Sequence, residues 1–126
     1  MTRFVKVKAL PLDRHAQERM NRTETAFAAY LLGAQCNNLI KRFDFEPEKF
    51  RLGESTFYTP DFRLVELDDT ITFLDVKGTT TVNGKSQPYY KDDAIVKVKL
   101  AATLHPMYAW GITWKLKTGA WEIRQY

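Results

Sequence analysis

Apolar residues recur along this chain first at helical and then at alternating spacing. Thr23 is a candidate N-cap for a helix running to about Cys36 (TETAFAAYLLGAQC), with Glu24, Phe27, Ala28 and Leu31 at i, i+3, i+4 and i+7. Ala, Leu and Glu favour this helix, and Gly33 weakens it near its end. Ahead of it, residues 3–9 (RFVKVKA) alternate as a short strand or as part of an N-terminal arm over residues 1–20, ended by Pro11. Beyond Asn37-Asn38 the period changes: Phe43 and Phe45 alternate, then Phe50 and Leu52, and Gly53-Glu54 marks a turn. Residues 61–67 (DFRLVEL) and 71–77 (ITFLDVK) read as two strands, and 78–90 as a polar loop containing Gly78, Asn83-Gly84 and Pro88. Residues 91–104 read as a helix with Ile95, Val98 and Ala102 along one stripe; a buried, valine-rich strand is the competing assignment. His105-Pro106 stops the segment. Residues 107–116 alternate strongly, with Tyr108, Trp110, Ile112, Trp114 and Leu116 on one side, before a turn at Lys117-Thr118-Gly119 and a last strand over 120–125. That order predicts an α/β or α+β fold, a central mixed β-sheet flanked by helices.

Composition narrows the classes. At 126 residues, 44% hydrophobic and 27% charged, the chain is expected to be one globular domain over 1–126. No apolar run is long enough for a membrane helix, and the first residues do not read as a secretory signal. The single cysteine, Cys36, can form neither an internal disulfide nor a zinc site alone, so the expected location is cytoplasmic. Charge is uneven. Residues 1–43 carry eight Lys/Arg against three Asp/Glu (+5), residues 44–76 three against nine (−6), and residues 77–126 eight against three (+5). Basic flanks suit a polyanion and an acidic centre suits a divalent cation, although a solvated surface of mixed charge gives the same arithmetic.

The candidate chemistry lies in that acidic centre. In ITFLDVKG, alternation puts Ile71, Phe73, Asp75 and Lys77 on one face, so a carboxylate and an ammonium share the strand's end. Alone this is a common surface ion pair. Asp61, after Pro60, opens the preceding strand, and the turn decides whether it meets Asp75. A two-residue loop at Asp68-Asp69 places Asp61 opposite Val76 on the wrong face. A three-residue loop over 68–70 places Asp61 opposite Lys77 and Arg63 opposite Asp75, with the two carboxylates diagonal. A bulge also rescues the geometry. Glu24 sits on an apolar helical stripe, where it either complements the helix dipole or supports a metal. Asp61, Asp75, the Val76 carbonyl and Glu24 together make a hard-oxygen set suited to Mg²⁺ or Mn²⁺. Lys77 then orients or deprotonates the attacking water, or neutralises charge developing on a phosphodiester.

Glu24, Pro60-Asp61 and Asp75-Val76-Lys77, within TETAFAAYL, YTPDF and LDVKG, resemble the PD-(D/E)XK nuclease superfamily, and within it the endonuclease I type of small phage nucleases that resolve branched DNA. The resemblance spans about residues 21–100. It implies a restriction-endonuclease-like sheet flanked by helices, Asp61 and Asp75 as metal ligands, Lys77 as catalytic lysine and Glu24 as the helix-borne acid. It also implies Mg²⁺-dependent hydrolysis of DNA, in particular of Holliday junctions; paired nicks require a homodimer. Asp75 stands where the endonuclease I pattern often has Glu, and the spacing from Asp61 to Asp75 is longer than in that pattern. Arg14, Arg19, Arg22, Lys85, Lys91, Lys97 and Lys99 are candidates for phosphate contacts, though on a regular helix Lys97 and Lys99 cannot both face one groove. The aromatic series 108–114 reads as core rather than a base-stacking platform, and His15 and His105 lack metal spacing. The competing functions are a nicking or end-processing nuclease within a larger phage or transposition machine, and a non-catalytic nucleic-acid-binding or phage assembly module.

Overall fold

A computed structural model describes residues 7–126. The strand expected over 3–9 falls largely outside the described residues; residues 7–9 are irregular chain. Two helices, α1 (Arg14–Glu18) and α2 (Arg22–Cys36), precede strands β1 (Ile40–Phe45), β2 (Phe50–Gly53), β3 (Thr56–Tyr58), β4 (Phe62–Glu66), β5 (Ile71–Val76), β6 (Gly78–Val82) and β7 (Lys85–Tyr89). Helix α3 (Asp92–Leu104) and strands β8 (Ala109–Lys115) and β9 (Trp121–Gln125) complete the chain. Five strands form the central sheet in the order β1-β4-β5-β8-β9, with β5 and β8 parallel and the other pairs antiparallel. The fold is therefore α+β with a mixed sheet. Strands β2–β3 and β6–β7 are separate two-stranded ribbons.

The two sheet faces carry two cores. Helix α2 covers one face, where Phe27 and Leu31 pack with Phe62, Leu64, Leu74, Val76 and Trp121. Helix α3 covers the other, with Ile95, Val98 and Ala101 against Phe73, Trp110, Ile112 and Trp114. The alternation over 107–116 thus reports a buried strand face: Tyr108, Trp110, Ile112, Trp114 and Leu116 all belong to the α3-side core. The helical assignment for 91–104 holds, because Ile95, Val98 and Ala101 bury one stripe while Val96 and Leu100 are exposed.

Two local expectations need correction. The N-cap of helix α2 is Asn21, two residues before Thr23: Asn21 Oδ1 accepts from the Glu24 amide, and Glu24 Oε1 accepts from the Asn21 amide, closing a capping box. Residues 78–89 form a β-ribbon instead of a loop, because Asn83 and Gly84 both take positive φ (52° and 75°), which suits a two-residue turn between twisted strands. Gly33 lowers helix propensity near the end of α2, as expected, and in exchange lets residues 8–10 dock. A Cβ there would lie 2.1 Å from the Lys8 carbonyl oxygen, while Leu10 N–H donates to Ala29 O nearby (3.0 Å). Gly33→Ala gains up to about 1 kcal/mol of helix propensity, yet overpacking against backbone costs about 1–3 kcal/mol. The expected net result is a stability loss of about 1 kcal/mol, read as a lower urea midpoint.

Candidate active site

Strand β5 delivers Asp75 on the same face as Phe73, and its side chain is only 9% exposed. A β4–β5 register that pairs Phe62 with Leu74 and Val65 with Ile71 places Asp61, one residue before β4, directly opposite Asp75. The turn is three residues long, as expected, but covers Leu67–Asp69 instead of 68–70, so the two carboxylates lie directly opposite each other instead of diagonally. Glu66 N–H donates to Thr70 O (2.9 Å), Asp68 Oδ1 accepts from Thr70 N–H, and Asp69 takes φ 70°. The expected pairing of Arg63 with Asp75 is accordingly absent. Arg63 lies opposite Phe73 and binds Asp44 (2.9 Å) and Glu48 (3.1 Å).

Each carboxylate is anchored by the other's strand. Asp75 Oδ1 accepts from Asp61 N–H (3.1 Å), and Asp61 Oδ2 accepts from Val76 N–H (2.9 Å). The Asp61 carbonyl accepts from Glu46 N–H (2.7 Å), so Asp61 is fixed through its amide, carbonyl and side chain together. One oxygen of each acid remains for other chemistry. Asp75 Oδ2 lies 3.6 Å from Lys77 Nζ. Since the N–H and C=O of a strand residue point to the same neighbour, the Val76 carbonyl faces the Asp61 side as well.

Electrostatics make this pair costly as two anions. Burial first, and then the Asp75 charge, push the Asp61 carboxyl up to about 8; Val76 N–H and Lys77 oppose the rise, and Glu24 adds to it. Asp75 is likewise raised, by burial, against the opposing pull of Lys77. The buried Tyr58 hydroxyl lies close enough to Asp75 for each to shift the other's titration, yet it makes no hydrogen bond of acceptable geometry. A half-buried and a buried oxygen acid that repel each other, Asp61 and Asp75, beside a backbone carbonyl, are a donor set that fits Mg²⁺ or Mn²⁺, which bind through one or two carboxylates and retain waters.

Comparison with known proteins adds nothing to this geometry: no match is found to a family model, a curated protein or a solved structure. Glu24 influences Asp61 but does not complete a cluster. Its carboxylate serves the capping box, and no group of three His, Cys, Asp or Glu side chains among the described residues is arranged to hold a metal. The reason is topological: α2 packs on the sheet face opposite the one carrying Asp75.

The cationic candidates disperse. Arg14 is exposed on α1, Arg19 lies over the Phe45 ring, Lys85 is on the β6–β7 ribbon, and Lys91, Lys97 and Lys99 belong to the start and body of α3, with Lys99 over the Tyr126 ring. Of these candidates, Arg22 shares a cavity with Lys77. That cavity also holds Lys115 and Thr79, which the sequence pattern did not single out. Their signal is nonlocal: Val76 pairs with Thr113 across the parallel β5–β8 ladder, bringing Lys115 level with Gly78.

Proposed function

We propose that the chain is a metal-dependent nuclease that hydrolyses DNA phosphodiester bonds, with branched DNA as its preferred substrate. The observation that carries the reading is the reciprocal anchoring of Asp61 and Asp75, with Lys77 Nζ 3.6 Å from Asp75 Oδ2. Asp61, Asp75 and the Val76 carbonyl would hold one Mg²⁺ or Mn²⁺. The chemistry such a cation would supply there is a lowered pKa for a coordinated water and screening of the phosphodiester charge. Backbone hydrogen bonds hold the carboxylate oxygens in place before substrate arrives, so little reorganisation accompanies reaction. Lys77 would donate from its ammonium toward the attacking water or a non-bridging phosphate oxygen, offsetting negative charge that builds as the water oxygen bonds to phosphorus and the bond to the leaving sugar oxygen breaks, that oxygen taking its proton from solvent. Glu24 acts at longer range on Asp61 and keeps the start of α2 in position. Paired nicks across a junction call for two copies related by a two-fold axis.

The test compares a four-way junction, linear duplex and supercoiled plasmid, each with Mg²⁺ and with EDTA. Mg²⁺-dependent paired cuts in the junction are expected, with slower action on duplex. Single nicks in plasmid with no junction preference would favour a nicking role, and binding without cleavage in any arm would favour a non-catalytic module. No helix among the described residues is long and apolar enough to cross a membrane.

A further inference from the structure

Lys77 faces a second environment. A cavity of about 310 Å³ beside it is lined by Arg22 and Thr23 at the start of α2, Thr79 on β6, Lys115 at the end of β8, and Trp121. Among the described residues, three cations line it and no acid does. The side chains of Arg22 and Lys115 make no ion pair or hydrogen bond among the described residues. Three like charges around one hollow repel one another, and an anion seated between them removes that repulsion. Thr23 and Thr79 add hydroxyl donors, while Trp121, 2% exposed, forms a rigid floor. The helix end is not the attraction, since Asn21 and Glu24 already cap it.

We propose that this cavity seats a phosphate of the nucleic-acid strand, adjacent to the phosphodiester held at Asp61 and Asp75, with Lys77 shared between the two. The assignment rests on reading the Asp61–Asp75 pair as a nuclease centre. Lys77 supplies the link: one side meets Asp75 at 3.6 Å and the other lines the cavity. A strand passing the carboxylates therefore carries a neighbouring phosphate toward Arg22 and Lys115. The occupant is an internal diester of a continuing strand, and a terminal phosphate is the competing source.

Lys115→Ala is the decisive variant, because Lys115 is exposed at a strand end and its loss leaves the core intact. Binding to a labelled junction is measured in EDTA across a salt series, so no cleavage is needed. Removing one phosphate contact should lower the salt slope by about one and weaken binding on the order of fivefold at 0.15 M salt. Arg22→Ala should do the same. Inorganic phosphate should shift the amide resonances of Thr23, Thr79 and Lys115 in the wild type, and shift those of Thr23 and Thr79 less in Lys115→Ala. Oligonucleotides with and without a 5′-phosphate should bind equally; a Lys115 effect confined to the phosphorylated ends would overturn the internal assignment. An unchanged slope in both variants, or absence of phosphate-induced shifts, overturns the proposal even if Mg²⁺-dependent cleavage is intact. A wild type that never cleaves, with the slope change present, overturns the nuclease reading alone and leaves the phosphate seat standing.

Discussion

Asp75→Asn is expected to reduce Mg²⁺-dependent cleavage by about 10³-fold or more while leaving the fold in place. The substitution keeps an oxygen able to accept from Asp61 N–H, so the backbone anchor survives. What disappears is the anionic oxygen beside Lys77, and with it both a hard ligand and the partner that orients the ammonium. Circular dichroism and a urea midpoint at or above that of the wild type should accompany the loss, because a buried charge has been removed from a repelling pair. Junction binding in EDTA should stay within a few-fold, which separates lost chemistry from lost affinity. Cleavage by purified Asp75→Asn within tenfold of the wild-type rate would remove Asp75 from the catalytic machinery.

The physical reach of the sequence differs between the elements of this site. Alternation alone puts Asp75 and Lys77 on one strand face, and the aromatic stripe through 108–116 marks the core beneath it, because period-two patterning reports burial directly. The register of Asp61 against Asp75 depends on where a three-residue turn begins. Three polar residues in a row, Asp68-Asp69-Thr70, hide that start, and only the left-handed Asp69 and the Asp68–Thr70 side-chain bond select it. The signal Asn21-x-x-Glu24 is a legible capping box, and it explains why Glu24 lies on an apolar stripe without being a ligand in a three-acid cluster. Asn83-Gly84 is a hairpin-turn pair, but the polar strands on either side of it bury no alternating face, so residues 78–90 read as a loop. Lys115 was not legible. Its meeting with Arg22 and Lys77 needs the parallel β5–β8 pairing across an intervening ribbon and helix, and no local pattern encodes that approach.

In the absence of divalent metal, the protein is expected to gain stability as pH falls from 8 toward 4. The sign follows from linkage. Asp61 titrates at about 8 in the folded chain and near 3.8 when unfolded, so between those values the folded state holds a proton that the unfolded state has lost. Stability therefore falls as pH rises through this window, with a limiting slope of about 1.4 kcal/mol per pH unit for one proton, and levels off above the folded value. Asp61 and Asp75 repel across their shared opening, so the proton belongs to the pair. Urea midpoints between pH 4.5 and 8.5 check the trend, and Asp61→Asn should flatten it. Magnesium should act in the opposite sense. It binds the folded, deprotonated pair and stabilises by mass action, with its largest effect near pH 8 and little below pH 5. An unaltered slope in Asp61→Asn would place the titration elsewhere in the molecule. A slope that Asp61→Asn flattens and Mg²⁺ suppresses identifies proton and cation as competitors for the same two carboxylates, with the cation gaining ground as pH rises toward 8.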